Sequence, residues 1–279
     1  MKVLPFKIAK QENATLIVQE DKGAKFYSKL HQHQEIQISL IKKGEGTFII
    51  GDYVGEFNEG DIFLIGENLP HVFNSDETIE EVYMISLFFL KSSYGEHFFA
   101  LPEFKDLSSV FINSTLGFKL AEPEKKISLL MESLTHISEL QLFITFLKIL
   151  QLMGQTKIKT LSSAIHNKIY GEEEGKRMRD IFAFTLDHFD KSISLDRIAE
   201  IANMTPNAFC RYFKQRTNKT YVNFLLDIRI GNACKLLTKK TDLSIAEISF
   251  KSGFNNLTNF NRKFKSTKGM TPSAFRKRA

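Results

Sequence analysis

Cysteine and long apolar runs are scarce in this chain of 279 residues, and both shortages exclude classes of protein. The two cysteines, Cys210 and Cys234, are too few for a disulfide framework or a cysteine-based metal site. The longest apolar runs, such as residues 83–90, are far shorter than the roughly 20 residues that span a bilayer, and the N-terminus lacks the apolar segment of a secretory signal. We therefore expect a protein of the reducing cytoplasm with no membrane segment.

Signatures of catalysis and of phosphorylation are missing as well. The sequence has no phosphate-binding loop, no Ser nucleophile motif and no acidic cluster of the receiver type. Four histidines have no partner pattern, namely His97, His136, His166 and His188. These absences predict a protein that is not an enzyme and is not controlled by phosphorylation.

Charge divides the chain into two unlike parts. Residues 175–279 carry 21 Lys and Arg against 8 Asp and Glu, a net charge of +13, whereas the remaining residues carry 17 basic and 24 acidic side chains, a net charge of −7. The length allows about two domains, and an apolar content of 43% allows each a full core. A basic half joined to an acidic half indicates that one half alone meets a polyanion, although a solvated basic surface has the same composition.

The basic part contains the same helical unit twice. Each copy begins near an Ile-Ala-Glu-Ile sequence, at 198–201 and 245–248, and ends on Arg-x-Phe-Lys, at 211–214 and 262–265. A short apolar helix, a turn and a basic helix are the sequence form of a helix-turn-helix. Two such units in tandem predict a protein that binds DNA at two neighbouring grooves.

Polar and basic side chains share one stripe on the second helix of each unit. In the first unit the stripe contains Asn207, Cys210, Arg211 and Lys214. In the second unit it contains Leu257, Thr258, Asn261, Arg262 and Lys265. Asn pairs with adenine, Arg with guanine and Lys with phosphate, whereas Leu257 either touches a thymine methyl group or fills a gap in the core. A single stripe of this kind would be interpreted as an ordinary solvated helix face. Because the stripe occurs at matching places in both units, we favour DNA binding.

One long helix is predicted between the two units, over residues 221–237. At about 1.5 Å per residue it spans about 25 Å, which suits two recognition helices in successive major grooves about 34 Å apart. Gly231 is expected to weaken this helix and to allow close packing against it.

Short strands with closely spaced turns fill residues 1 to about 95. β-Branched and aromatic residues between Gly, Asn and Asp turns are typical of an all-β sandwich or barrel. The predicted strands are 15–19, 25–30, 35–42, 46–50, 53–57, 61–65 and 78–90. Two helices follow, at 122–133 and 137–153, and the second is apolar around so much of its surface that we favour a share in a dimer interface over an intrachain core alone. Residues 154–175 read as a linker.

Four polar residues of the β region form a candidate binding site: His31, His33, Glu35 and His71. The first three are spaced by two, so they share one face of an extended strand, and His71 can approach from a later strand. Ligand recognition is the favoured interpretation. Three imidazoles and a carboxylate also suit a divalent metal, and a solvated or hydrogen-bonded strand face is the third interpretation.

The C-terminal residues resemble the AraC/XylS family of bacterial transcription regulators over roughly the last 105 residues. The resemblance is carried by Ile193-Ser194-Leu195, Ile198-Ala199, Phe213-Lys214, Arg229, Ala233, Leu236-Leu237, Ile245-Ala246, Gly253-Phe254, Phe264-Lys265, Thr271-Pro272-Ser273 and Phe275-Arg276. The family pattern usually has Tyr in place of Phe275 and Gly in place of Asn218. The β region is similar to the cupin-like ligand-binding domain of the same family at 31–35, 44–46, 60–61 and 69–71.

With this resemblance the chain is expected to be an α+β protein of four parts. These are a cupin-like jelly-roll sensing domain at 1–115, a helical pair at 116–153 that serves dimerisation, a linker at 154–175 and an all-α DNA-binding domain at 176–279. The resemblance implies base contacts from Asn207, Cys210 and Arg211, and from Leu257, Thr258, Asn261 and Arg262. It implies a ligand-responsive activator that contacts double-stranded DNA, RNA polymerase and a small effector such as a sugar or its derivative, as a homodimer without a cofactor.

Two other functions stay open at this point. One is a metal-dependent cupin enzyme with a DNA-binding appendage, whose ligands would be the three histidines and Glu35. The other is a non-specific nucleic-acid or architectural protein, which binds in proportion to charge and ignores base sequence.

Overall fold

The computed structural model describes residues 14–76, 79–164, 172–239 and 242–278. Its contacts divide the chain into two units, Met1–Gly175 and Lys176–Ala279. Within the described ranges, no helix combines the length and the apolar character needed to cross a bilayer.

Two antiparallel β-sheets form the base of the first unit. The larger sheet has the strand order β1-β7-β2-β5-β8-β9, and the smaller has the order β4-β3-β6. The strands are β1 Leu16–Gly23, β2 Ile36–Lys43, β3 Gly46–Ile50, β4 Tyr53–Phe57, β5 Ile62–Ile65, β6 His71–Ser75, β7 Val82–Phe89, β8 Phe118–Leu120 and β9 Ile158–Thr160. Helices follow the sheets, so the predicted fold class of this half is confirmed.

Side chains along β2 alternate between the two faces of the larger sheet, and both faces are buried. Ile36, Ile38 and Leu40 point to one face, where they pack with the helices of this unit. Gln37 and Ser39 point to the other face and are buried there, at 4% and 0% exposure. The smaller sheet adds aromatic residues to a second core, whose buried phenylalanines are Phe26, Phe48, Phe57, Phe63 and Phe73. The interior between the sheets is therefore apolar in one part and polar in another.

Three α-helices cover the outer face of the larger sheet, together with short 3-10 turns between residues 91 and 107. They are α1 Ser108–Ser114, α2 Lys125–Ser133 and α3 Glu139–Gln155. In α3, Phe146, Ile149 and Leu150 are fully buried, and the Phe146 ring lies 4.7 Å from that of Phe89. Leu140 and Ile144 on the same helix remain 71% and 49% exposed. The helix therefore serves the intrachain core and also presents apolar side chains at the surface.

Some predicted strands of the first unit are wrong. Residues 25–30 form no strand. This segment is irregular, and its apolar residues Phe26 and Leu30 are buried without belonging to a sheet. The predicted strand at 78–90 begins at Val82, and Thr78 lies outside the described residues. Strands β6, β8 and β9 were not predicted; β8 and β9, at three residues each, are too short to show a period.

The predicted boundaries at 115 and 154 also differ from the structure. Strand β8 lies beyond residue 115 and pairs with β5, so the sheet continues past the predicted domain end. Strand β9 lies inside the predicted linker and pairs with β8, with Phe118 opposite Thr160. The hydroxyl groups of Ser162 and Ser163 then donate hydrogen bonds to the Asp52 carboxylate. Backbone pairing and these bonds hold 158–163 on the β domain, whereas Asn167 and Gly171 of the predicted linker lie outside the described residues.

The second unit is entirely helical in its described part. Its helices are α4 Glu172–His188, α5 Leu195–Ile201, α6 Pro206–Thr217, α7 Tyr221–Lys239, α8 Ile245–Lys251, α9 Leu257–Lys268 and α10 Pro272–Arg278. Both α5 and α8 have 7 residues, and both α6 and α9 have 12. The predicted duplication is therefore present as two helix pairs of equal length.

Buried residues give the true register of the duplication. Ile198 and Ile248 are both fully buried, and each follows a Ser N-cap, Ser194 or Ser244, by four positions. Ile248 is thus the counterpart of Ile198. The Ile-Ala-Glu-Ile sequences at 198–201 and 245–248, which read as equivalent, are out of register by about one helical turn.

Helix α7 joins the two helix pairs through two aromatic clusters. Near its start, Tyr221 and Phe224 pack on Phe213 of α6, with ring centroids 5.4 Å away in both cases. Further along, Ile230, Ala233 and Leu237 pack in the core that holds Phe260 and Phe264 of α9. A Cβ placed on Gly231 would meet nothing within 4 Å, so this glycine does not serve the close packing predicted for it.

Candidate functional site

The turn before each basic helix uses a residue in the left-handed backbone region. Asn203 has φ of 53° in the first turn, and Gly253 has φ of 81° in the second. In both turns the next amide reaches back into the preceding helix, from Met204 to the Ala199 carbonyl at 2.9 Å and from Phe254 to the Ser249 carbonyl at 3.1 Å. Because the same backbone hydrogen bond occurs in both turns, the two turns have a similar geometry.

Side-chain caps then start the two basic helices, α6 and α9, which we call the recognition helices. Thr205 accepts a hydrogen bond from the Ala208 amide, with Pro206 in the first helical position. Asn256 accepts from the Asn259 amide at 3.0 Å. Asn256 is thus the N-cap of α9, which begins at Leu257. Capping satisfies amides that a helix start leaves without intrahelical partners.

Phenylalanines bury one side of each recognition helix, and this leaves the other side exposed. Phe209 and Phe213 in α6 and Phe260 and Phe264 in α9 are fully buried. The predicted contact residues are all exposed, namely Asn207, Cys210, Arg211, Lys214, Leu257, Thr258, Asn261, Arg262 and Lys265. Leu257 is 38% exposed, so it does not fill the core gap that was its alternative role.

The exposed sides carry only positive charge. Neither recognition helix contains an Asp or a Glu, whereas α6 has three and α9 has four Lys and Arg residues. Arg262 donates a hydrogen bond to the Asn259 side chain at 3.0 Å, which restrains its guanidinium on the surface of α9. Such surfaces match the charge of a phosphate backbone and offer donors to base edges.

Three histidines meet inside the first unit. His31 and His71 form an isolated antiparallel bridge, with amide-to-carbonyl distances of 3.0 and 2.8 Å, and His33 follows two residues later. One ring nitrogen from each of the three lies within 4.8 Å of the others. His33 and His71 are 4% and 1% exposed. The backbone bridge thus brings together side chains that are forty residues apart in sequence.

Each of these rings turns its Nδ1 atom to a backbone carbonyl. The acceptors are Lys29 for His31 at 2.9 Å, Glu35 for His33 at 2.9 Å and Leu69 for His71 at 2.8 Å. A carbonyl accepts only, so in the neutral His31 and His71 rings the Nδ1 atom carries the proton and Nε2 carries the lone pair. His33 also contacts the Gln37 side-chain amide through Nε2, at 3.1 Å.

Burial keeps these rings neutral. Removal from water lowers the pKa of His31 to about 4, with the neighbouring His33 adding to that decrease. Burial also lowers the pKa of His33, and it takes the pKa of His71 well below its usual value. At neutral pH all three rings are therefore uncharged, the form in which histidine binds ligands through a lone pair.

A polar chain continues from the histidines into the sandwich. Gln37 places its amide oxygen 3.1 Å from His33 Nε2 and donates from its amide nitrogen to Ser39 at 2.7 Å. Ser39 and Ser86 lie 2.9 Å apart, and both are fully buried. The Phe88 ring contacts His33 edge-on at 5.4 Å. This group, which we call the polar interior, is a connected set of buried polar side chains within the first unit.

Comparison with known proteins assigns both units. Residues 198–278 match the family model for a helix-turn-helix domain, and residues 13–87 match the model for an AraC-like ligand binding domain. The XylDLEGF operon transcriptional activator 2 of Pseudomonas putida is 31% identical over 119 residues, which cover 42% of this chain and 74% of that relative. The chain belongs to the AraC/XylS family of transcriptional regulators.

Two longer matches extend the likeness of this AraC/XylS regulator over both units. The HTH-type transcriptional regulator YdeC of Bacillus subtilis is 28% identical over 261 residues, covering 90% of this chain and 87% of the relative. The HTH-type transcriptional activator RhaR of Mannheimia succiniciproducens is 24% identical over 259 residues, covering 89% and 87%. The protein is thus a DNA-binding transcriptional regulator with an N-terminal ligand-binding domain.

The sensor residues predicted for this AraC/XylS regulator are brought together only in part. His31, His33 and His71 converge, whereas Glu35 lies to one side, with its carboxylate 3.8 Å from His33 Nδ1. Gln37, and not Glu35, contacts His33 in the interior, and the sequence analysis did not include Gln37 in the candidate site. Its position four residues after His33 could have indicated it, because residues at this spacing share one face of an extended chain.

Proposed function

We propose that this regulator activates transcription in the cytoplasm when a small polar molecule binds in its β-sandwich. The DNA-binding role rests on one observation above all: two capped, acid-free helices expose matching contact residues from one helical unit. A ligand that favours one conformational state of the protein shifts its occupancy on DNA or its contact with RNA polymerase.

The polar interior supports a small effector with hydroxyl groups, such as a sugar or its derivative. Gln37, Ser39 and Ser86 supply donors and acceptors in a region that is otherwise apolar. A few fixed polar groups in apolar surroundings are typical of small-molecule sites. Of the predicted ligand residues, His31, His33 and His71 lie at the outer end of this group, through the contact of His33 with Gln37, whereas Glu35 lies beside His33.

A homodimer is part of the proposal, because α2 and α3 present exposed apolar side chains. Leu140 and Ile144 lie one helical turn apart on α3 and are 71% and 49% exposed, and Leu129 of α2 is 66% exposed. Exposed aliphatic groups of this kind are typical of a protein interface.

Selection of bound sequences from a random DNA pool tests the proposed function. The expected result is one enriched motif with two parts about one helical turn apart, since two helices read it. Enrichment without a motif, together with binding that follows salt concentration alone, would instead indicate a non-specific nucleic-acid protein.

A further inference from the structure

The three-histidine cluster has the orientation that metal ligands require. Each Nδ1 atom lies within hydrogen-bond distance of a backbone carbonyl, so Nε2 is the nitrogen through which each neutral ring can bind an ion. Metal-binding histidines almost always donate their second ring nitrogen to a carbonyl or carboxylate, which fixes the ring and its tautomer. Here all three rings have that support, and His33 has the Glu35 carboxylate nearby as well.

His71 shows that the protein alone does not satisfy the cluster. Its Nε2 atom is fully buried and has no hydrogen-bond partner among the described residues. A buried polar atom without a partner costs about 1–3 kcal/mol, so the native protein is expected to supply one. The His31 and His33 rings are its neighbours, at centroid distances of 4.3 and 5.0 Å, and one nitrogen from each of the three rings lies within 4.8 Å of the others, so one ion can serve all three.

Gln37 lies close enough to His33 to be a further ligand of the same ion. Its amide oxygen is within hydrogen-bond distance of His33 Nε2, at 3.1 Å, and its amide nitrogen donates to Ser39. An ion bound to both atoms would replace the contact between them. A separation of about 3 Å is usual for two ligand atoms with bonds of about 2.0–2.2 Å to one ion.

We propose that His31, His33 and His71 bind one divalent transition-metal ion through their Nε2 atoms, with the Gln37 amide oxygen as a fourth ligand. Imidazole suits Zn²⁺, Ni²⁺, Co²⁺ and Fe²⁺, whereas Mg²⁺ and Ca²⁺ require oxygen ligands. The nitrogen ligands of tetrahedral Zn²⁺ lie roughly 3.3 Å apart, so binding draws the rings inward through side-chain rotation.

This site deepens the proposed sensor and rests on its ligand-binding role. The metal would occupy the outer end of the polar interior, where an effector oxygen can join its coordination shell. DNA is not needed for metal binding, so a failure of the metal site and a failure of the proposed DNA function give different results.

Titration of the full-length, chelator-treated protein with Co²⁺ tests the proposal, followed by displacement with Zn²⁺. We expect visible ligand-field absorption that saturates at one Co²⁺ per chain and disappears when Zn²⁺ is added. We also expect Zn²⁺ to raise the thermal unfolding midpoint, because an ion that binds only the folded state stabilises it.

Variants assign the signal to the cluster. His31→Gln and His33→Gln should each weaken Co²⁺ binding at least tenfold, whereas His97→Gln, at an exposed histidine far along the chain, should leave it unchanged. His31 is only partly buried, so its variant is expected to fold even if the His33 variant does not. Absence of saturable binding in the parent protein, or equal binding by the folded His31 and His97 variants, would overturn the proposal.

Discussion

Gly253 lies where the second helix-turn-helix meets the loop after α4. Its φ of 81° is in the left-handed region, and an added Cβ would collide with the Phe189 carbonyl oxygen and lie 2.7 Å from Arg229 Nε. Arg229 itself donates to the Phe189 and Lys191 carbonyls, at 2.8 and 2.7 Å. One arginine and one glycine therefore join α7, the second turn and the loop between α4 and α5.

Substitution Gly253→Ala should destabilise the second unit by about 2–3 kcal/mol, since both the backbone conformation and the contact oppose a side chain. Urea unfolding followed by helical circular dichroism measures the change. Gly231→Ala is the matched control, because its Cβ meets nothing within 4 Å and alanine favours a helix interior. The control should gain about 0.5–1 kcal/mol, and a similar loss in both variants would refute the role given to Gly253.

The two arginines of the recognition helices carry the most specific prediction about DNA. Arg211→Ala and Arg262→Ala should each weaken binding to the selected site by about 1–3 kcal/mol and relax its base preference. Arg197→Ala removes the same charge from an ion pair with Glu200, at 2.6 Å, and should leave the base preference unchanged. Mobility-shift titrations against the selected site and a shuffled site measure both quantities. Unaltered preference in both recognition-helix variants would exclude them as base readers.

Residue chemistry explains which parts of the sites the sequence could predict. Exposed stripes repeat at helical spacing beside buried phenylalanines, so spacing predicted the polar contact residues at the surface, whereas the exposure of Leu257 was left open and only the structure decided it. The histidine cluster depends on a bridge between His31 and His71, so its three members could be named from the sequence, but Glu35 was expected there and Gln37 was not. Asn218 accepts a φ of 55°, so the Gly usual there is not required.

Among the secondary-structure elements, the helix caps fix the first residue of each recognition helix. Asn256 has an extended backbone, with φ of −144°, and its side chain accepts from the Asn259 amide. The adjacent Asn255 is exposed and does not act as the cap. The start of α9 therefore depends on one of two neighbouring asparagines.

Asn256→Ala should cost about 1 kcal/mol of stability, because an N-cap side chain is lost. Asn255→Ala should change stability by less than about 0.5 kcal/mol, as expected for a surface substitution. Thermal unfolding of the two variants in parallel gives the comparison, and Asn256→Ser should recover most of the loss. Equal midpoints for both alanine variants would show that the cap does not determine where α9 starts.

Long helices with regular apolar spacing were predicted well, and three-residue strands were not. The helix predicted at 221–237 is α7, and the polar stripes predicted at 207–214 and 257–265 lie on α6 and α9. Strands β8 and β9 have three residues each and exist because they pair with one another and with β5. Tertiary pairing of this kind leaves no local pattern, which is why 154–160 read as a linker.

At the scale of the whole molecule, the exposed apolar surface of α2 and α3 predicts self-association. A Leu140→Glu and Ile144→Glu double variant should shift the protein from dimer to monomer, because charge at an apolar interface is costly to bury. Val222→Glu is the control, since Val222 is 60% exposed on α7 in the other unit. Sedimentation velocity at several concentrations measures the state, and a parent protein that stays monomeric would exclude this interface.

Hydroxyl-radical footprinting on the selected DNA site locates each recognition helix and so decides whether α6 and α9 bind DNA together. We expect two protected segments about 10 base pairs apart on one face of the duplex. Arg211→Ala should weaken protection of one segment and Arg262→Ala that of the other. A single protected segment, or loss of the same segment in both variants, would contradict the reading of DNA by α6 and α9 together.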